Sequence, residues 1–315
     1  MAMSQAEKYA PLVSVIIPNY NHARFLDERI QSVLNQTYQN FEVIILDDKS
    51  TDNSVEVINK YKDNPHISCV VVNEKNSGST FIQWHKGFEL AKGELIWIAE
   101  SDDSCDDTFL STLIHGYVDN NAILAFCRSC RYDVNGNKSV YTHQSILPWD
   151  IVMSGREFIS QYLSNRNAVA NASSAIFSRN IAMSIDRKYQ TMKSLGDWMF
   201  WIELIEHGNV VFYTAELNYF RFHNTNTTKL LELQGITAIE HKTIFDYLVN
   251  NEYIKKQDVK NEKRKILYYK MNAKYESHFS RRKVMKVWDK WLVGRFYIFF
   301  SSLKDTLLLI IRNLL

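Results

Sequence analysis

Glu100-Ser-Asp102-Asp103 places three carboxylates within four positions, and Asp106 and Asp107 follow closely. Carboxylates crowded in this way repel one another unless a cation or ligand relieves them. An oxygen-only donor set suits Mg²⁺ or Mn²⁺, and Mg²⁺ is commonly held by one or two carboxylates together with substrate phosphates. The acids divide by position. Asp102 ends an apolar run, whereas Asp106 and Asp107 precede a helix-forming stretch near 108–117 and are expected to cap it. A further acid, Asp197, follows Gly196 and opens the very apolar stretch Trp198-Met199-Phe200-Trp201. By residue type alone it reads as a helix N-cap.

The elements that must position these acids alternate along the first hundred residues. Val13–Ile17, Glu42–Leu46, Ile67–Val72 and Leu95–Ala99 are short apolar, β-branched runs that predict buried strands. Leu26, Ile30, Val33 and Leu34 recur at helical spacing, as do Phe81, His85 and Phe88. Asn53 with Glu56 three residues on predicts a capping box that opens a short helix to Tyr61. Strands alternating with helices of about three turns predict right-handed crossovers and a mostly parallel sheet. In such open sheets ligands sit beyond the carboxyl ends of the strands. Those ends are Pro18-Asn19-Tyr20-Asn21, Asp47-Asp48-Lys49-Ser50 and Glu100-Ser101-Asp102-Asp103, so three polar clusters are expected on one rim.

Farther along, Ala122–Tyr141 reads as short strands with Asn135-Gly136 as a hairpin turn. Gly155–Leu163 and Asp197–His207 predict helices, and Val210–Tyr213 and Asn218–Phe222 predict strands. Asn167–Ser174 (NAVANASS) is polar and small, and suits the lining of a pocket better than a core. With 315 residues, 46% of them hydrophobic, the chain has ample material for a core, and disordered and collagen-like classes are excluded. Four cysteines are too few for a disulfide scaffold at this length; Cys127-Arg-Ser-Cys130 has knuckle spacing without a second pair, and reduced thiols are expected.

No GxGxxG follows the first strand and no Walker lysine loop is present, which disfavours dinucleotide and P-loop readings. Five motifs in order instead resemble the nucleotide-binding half of glycosyltransferase family 2, of GT-A fold. They are VSVIIPNYN (13–21), Gln36-Thr-Tyr38, EVIILDDKSTDNS (42–54), NSGSTFIQWHKG (76–87) and AKGELIWIAESDD (91–103). The resemblance covers about residues 11–229. It implies an α/β, Rossmann-like domain with a mostly parallel central sheet and flanking helices, followed by a helical C-terminal extension. The expected divisions are a tail at 1–10, a nucleotide-sugar half at 11–120, an acceptor half at 121–229 and a basic aromatic region at 230–315.

The resemblance also assigns roles. Pro18, Tyr20 and Asn21 would pack around the nucleoside, and Asp48 would hydrogen-bond the base, usually uracil. Asp102 matches the metal-binding acid of the family's Asp-X-Asp motif and would ligate Mn²⁺ or Mg²⁺ at the diphosphate. Glu100 stands where the family commonly has Asp, and is expected with Asp103 at the nucleotide. Gly196-Asp197-Trp198 resembles the segment of the acceptor-activating base, and a carboxylate against aromatic rings has reason for a raised pKa. Arg221-Phe-His223 resembles an Arg-X-His segment in which His223 would ligate the metal or touch diphosphate, with Arg221 beside it.

The implied reaction is inverting transfer of a hexosyl or N-acetylhexosaminyl group from a nucleotide-diphosphate sugar, expected to be a UDP-sugar. The acceptor would be a hydroxyl on a saccharide or a lipid-linked saccharide, as in assembly of bacterial surface polysaccharide. Two other readings stay open: a nucleotidyltransferase, which lacks support because Asn19–Arg24 supplies no basic Gly-rich loop, and a non-catalytic nucleotide-sugar or carbohydrate-binding module.

Charge is unevenly placed. Residues 255–315 carry 16 Lys/Arg against 5 Asp/Glu, an excess of +11, while the net charge of the chain is +2. A basic tail with Trp288, Trp291, Phe296, Tyr297, Phe299 and Phe300 suits an anionic membrane surface. The alternative is a helical appendage packed on the catalytic body or on a second copy of the chain. Nucleic acid is not among the expected partners. Phe296–Leu303 and Thr306–Ile311 each fall short of the ~18–20 apolar residues that span a bilayer. The polar N-terminus lacks an apolar signal core, and a cytoplasmic location, peripheral on the inner membrane face, is expected.

Overall fold

Continuous apolar runs become strands covered on both faces. Val13–Asn19 (β1), Phe41–Asp47 (β2) and Leu95–Ile98 (β4) are buried at every position, whereas Ile67–Val72 (β3) alternates in exposure. Full burial on both faces is the pattern of central parallel strands, and alternation marks an edge. The structure, a computed structural model, describes residues 10–133, 138–139, 146–222, 227–263, 266 and 273–289. β1 pairs in parallel with β2 on one side and β4 on the other, and β2 pairs in parallel with β3. The chain therefore reverses its direction of winding between β1 and β4, and that switch point opens a crevice at the carboxyl ends.

Three helices make the crossovers: Ala23–Leu34 (α1), Ser54–Asn59 (α2) and Thr80–Leu90 (α3). The expected capping box at the second does not form, because Asn53 makes no side-chain cap bond. Asp52 does the work instead. One carboxylate oxygen accepts from Ser54 N (3.0 Å) and Ser54 Oγ (2.6 Å), and the other accepts from Ala23 N at 2.9 Å, so one side chain starts both α1 and α2.

The remaining strands extend the same sheet. They are Ser104–Cys105 (β5), Ala122–Asp133 (β6), Lys138–Ser139 (β7), Ile151–Ser154 (β8), Ala175–Ser178 (β9) and Asn209–Phe222 (β10). The main path runs β3-β2-β1-β4-β9-β6-β10-β5. β9 is antiparallel to both β4 and β6, and β10 is parallel to β6. The two expected halves thus share one continuous sheet. β10 was expected as two strands; it is one, with register shifts between Tyr213 and Asn218. β7 pairs antiparallel with β6, and the Asn135-Gly136 turn lies outside the described residues. Cys127 and Cys130 are buried on β6 and form no disulfide.

Gly196–Ile205 (α4) is nearly all buried, and its rings lock it to α3. Trp84 lies 5.8 Å from Phe200 and 6.4 Å from Trp201, and Phe177 of β9 lies 5.3 Å from Phe200. The Trp84–Phe200 and Phe177–Phe200 pairs are edge-on, and such pairs each add about 0.5–1.5 kcal/mol beyond area burial.

The same helix carries a buried acid. Glu203 is 4% exposed, its Oε2 has no hydrogen-bond partner, and burial, with Asp186 nearby, pushes its pKa up to about 7. A carboxyl whose folded pKa lies above its unfolded value adds stability only while protonated. That stability is complete below about pH 4.5 and is lost as pH rises through about 7. Glu203→Gln is therefore expected to be more stable than wild type at pH 8, on the order of 3 kcal/mol, and to match it near pH 4.5. Urea midpoints at the two pH values measure this, and a difference independent of pH would contradict it.

Residues Thr227–Leu315 form a second compact unit, apart from Met1–Asn226. Its described helices are Thr227–Leu233 (α5), Ile236–Asn250 (α6) and His278–Asp289 (α7). Gly235 turns α5 into α6 at φ +76°, and a Cβ there would sit 2.5 Å from Val284 of α7. Among the described residues no helix is long and apolar enough to cross a membrane. The aromatic run at 291–300 lies outside the described residues.

Candidate active site

The strand-end loops meet through a continuous set of contacts. His22 Nδ1 lies 2.9 Å from Ser101 Oγ, which links the turn after β1 to the acidic loop after β4. Arg29 of α1 is fully buried, donates from Nε to the Glu100 carbonyl (2.9 Å) and reaches Asp103 at 4.0 Å. Arg29 is not among the expected site residues, although its position three after Leu26 and four before Val33 puts it on the helix's apolar face.

The three adjacent acids have different surroundings. Glu100 is half-buried and accepts from Trp84 Nε1 at 2.9 Å. Burial first, and then the charge of Asp102, push its pKa up to about 8. Asp103 is 1% exposed and holds four elements together: it accepts from Asn171 Nδ2 (2.9 Å), Ser173 Oγ (2.7 Å) and Arg221 N (3.0 Å), besides its ion pair with Arg29. Burial and Asp102 raise its pKa, and Arg29 and the two donor side chains oppose that rise. Asp103 was expected at the nucleotide; its carboxylate is enclosed by these protein partners. Asp102 stays half-exposed at the rim, and its carbonyl accepts from Arg221 Nε at 3.0 Å.

Arg221, also expected at the nucleotide, is likewise enclosed. Its guanidinium pairs with Glu28 and lies over the rings of Phe25 (4.7 Å) and Tyr132 (4.4 Å). It fastens the end of β10 to α1 and the acidic loop. His223 lies outside the described residues.

Around the nucleoside positions, Pro18 is buried within β1 and Tyr20 is exposed. Asn21, at φ +57°, accepts from Thr51 N (2.7 Å) and so shapes the turn after β2. The Asp48 carboxylate accepts from Asn73 Nδ2 (2.7 Å), Ser77 N (2.9 and 3.0 Å), Ser77 Oγ (2.7 Å) and Gln83 Nε2 (2.9 Å). These donors come from the Asn73–Ser79 loop and from α3. Asp48 therefore moulds that loop, and it would meet a base only in exchange for one of these bonds.

Asp197 lies in the first turn of α4, half-buried. It is not the N-cap: that residue is Leu195. Gly196 brings the turn close to α3, where a Cβ would stand 2.5 Å from the Phe81 ring. Asn167 Nδ2 donates to Asp197 Oδ2 at 2.8 Å. Asn167–Ser174 thus runs as a strap from Asp197 at one end to Asp103 at the other, through Asn167, Asn171 and Ser173. The adjacent α3 residues Gln83 and Trp84 bond Asp48 and Glu100, and the strap joins Asp197 to Asp103; Asp102 lies in the chain between Glu100 and Asp103. A separate cleft of about 430 Å³ opens at the amino ends of the strands, beside Pro11, Leu95 and Asn121, with Glu94 as the one acid in its lining.

The Glycosyl transferase family 2 profile matches residues 14–185, more than half of the chain. The chain belongs to this family. Glycosyltransferase GlyG of Streptococcus pneumoniae is 36% identical over 124 residues, which is 39% of this chain and 40% of GlyG. Poly(ribitol-phosphate) beta-N-acetylglucosaminyltransferase TarP of Staphylococcus aureus is 32% identical over 149 residues, 44% of each chain. The aligned part is thus less than half the length of either relative. The crystal structure of S. aureus TarS 1–349 in complex with UDP superposes with a TM-score of 0.60 at 16% identity, covering 90% of this chain and 81% of that one. The fold is accordingly GT-A, a mostly parallel sheet flanked by helices with helices at the C-terminal side of the sequence.

A divalent cation is implied by the family. Among the described residues no group of three or more His, Cys, Asp or Glu side chains stands ready to hold one. The donor set nevertheless fits an ion completed by substrate. Asp102 offers a half-exposed carboxylate at the rim, and Mg²⁺ is commonly bound by one or two carboxylates plus phosphates.

Proposed function

We propose that this family 2 enzyme transfers a hexosyl or N-acetylhexosaminyl group from a UDP-sugar to a hydroxyl of a surface polysaccharide or glycolipid, with inversion. The observation that carries the reading is the strap. It couples the acidic loop, where a diphosphate would sit, to Asp197, where an acceptor would be deprotonated. The donor and acceptor classes draw on the relatives: UDP is bound by TarS, and TarP is named for transfer to poly(ribitol-phosphate).

In this reading Tyr20 and the loops shaped by Asn21 and Asp48 receive the nucleoside. Asp102 would hold Mn²⁺ or Mg²⁺, with His223 a second candidate ligand, and the ion would offset charge on the departing diphosphate. Glu100 and Asp103 fix the acidic loop through Trp84, Asn171 and Ser173, and Arg221 holds that loop from the β10 side. Asp197 takes the proton of the acceptor hydroxyl as its oxygen bonds to C1. The C1–O bond to the diphosphate breaks from the opposite side, and its electron pair leaves with the nucleotide. One displacement inverts the anomeric centre.

UDP release from UDP-glucose and UDP-N-acetylglucosamine, with Mn²⁺ and with EDTA, tests the reading. Slow hydrolysis that EDTA abolishes is the expected result. Tight UDP binding without turnover of either sugar, even with polyol-phosphate acceptor added, would favour the binding-module alternative.

A further inference from the structure

The helix His278–Asp289 has a fixed orientation on its own unit. Trp288 is 2% exposed, donates from Nε1 to the Ala238 carbonyl at 2.9 Å, and meets the rings of His241 and Phe245 at 6.1 and 6.3 Å. Ser280 and Val284 are buried on the same side. With 280, 284 and 288 turned inward at helical spacing, residues 279, 282, 283 and 286 must form one outward stripe. They are Phe279, Arg282, Lys283 and Lys286, all exposed, with Arg281 exposed at the stripe's flank. Phe279 is 77% exposed, the largest exposure among the large hydrophobic side chains of the described residues. The helix has no acid until Asp289.

A purely solvated helix face has no use for a phenyl ring set among cations. A soluble polyanion would use the cations and leave the ring idle. A bilayer interface uses both, because basic side chains lie at anionic headgroups while an aromatic ring enters the boundary below them. The sequence around the stripe agrees: residues 255–315 carry an excess of +11. We propose that the outward stripe Phe279/Arg282/Lys283/Lys286 docks the protein on an anionic lipid surface. This inference is independent of the sugar-transfer reading, and its test involves no turnover.

The experiment is co-sedimentation of the full chain with vesicles of phosphatidylcholine alone, or mixed with phosphatidylglycerol. Wild type should partition onto the anionic vesicles only, and less so as salt rises. The combined variant Arg282→Gln, Lys283→Gln, Lys286→Gln should lose at least about tenfold of that partition, since each basic residue near a charged surface contributes substantially. Phe279→Ala should weaken vesicle binding but leave binding to inorganic polyphosphate unchanged. All four positions are exposed, so circular dichroism melts should match wild type. Three results would each overturn the proposal: no partition of wild type onto anionic vesicles, undiminished partition of the triple variant, or vesicle binding indifferent to Phe279→Ala, which marks a site for soluble polyanions.

Discussion

Asp197→Asn is expected to lower kcat by about 10²–10⁴-fold, the usual contribution of a positioned general base, while UDP affinity stays within about twofold. The substitution isolates the proton transfer. The amide that replaces the carboxylate has nearly the same shape and keeps an oxygen for the bond from Asn167 Nδ2, but it cannot accept a proton at working pH. The fold should survive, because the helix does not depend on this side chain as its cap, which is Leu195, and the neighbouring Trp198, Met199, Phe200 and Trp201 are all buried in the core. Asn167→Ala should give a smaller loss in kcat, about tenfold, through misorientation of a base that is still present. Titration calorimetry with UDP and single-turnover transfer separate the two effects. Near wild-type turnover by Asp197→Asn would remove Asp197 from the mechanism.

Much of this arrangement can be read in the sequence, for an identifiable reason. β1, β2 and β4 are covered on both faces, so each is an apolar run, interrupted only by the buried bonded pair Ser14 and Glu42, and its carboxyl end is marked by polar residues. Those polar ends name the rim. What the sequence hides is the direction in which each rim side chain faces. Asp102 and Asp103 are chemically identical neighbours on a turn closed by the bond from Asp103 N to the Glu100 carbonyl (3.2 Å), where spacing does not give the direction of either side chain. Residue type says that one of the pair should face inward, and only the partners at Arg29, Asn171, Ser173 and Arg221 say which. Asp48 is similar: its donors arrive from residues 73–83, and the Asn76-Ser-Gly78 turn that delivers Ser77 is a weak signal by itself. The apolar pattern of β10 breaks at Thr214–Leu217, which suggests two strands, and two of its register shifts fall on that stretch. Arg29 was the readable omission, a charged residue at a helical position otherwise reserved for the core.

The pair Asp102 and Asp103 therefore supplies the sharpest contrast the site allows. Asp103→Ala should cost about 3–5 kcal/mol of stability, because it leaves Arg29 buried without its counter-charge and strips acceptors from Asn171, Ser173 and the Arg221 amide. Any loss of activity should follow from that. Asp102→Ala removes a half-exposed side chain and keeps the backbone carbonyl that receives Arg221 Nε, so its urea midpoint should fall far less than that of Asp103→Ala. Its metal-dependent UDP binding should fall at least tenfold, as expected when one of few protein ligands to a catalytic ion is lost. EDTA treatment of wild type should reproduce that binding loss without the destabilisation seen in Asp103→Ala. If Asp102→Ala kept full Mn²⁺-dependent UDP affinity, the cation would have to be held elsewhere. If Asp103→Ala unfolded no more easily than wild type, the four-way junction would not be what fixes the acidic loop. Each result bears on a different carboxylate, so the task of holding the substrate and the task of holding the loop can be told apart one residue at a time.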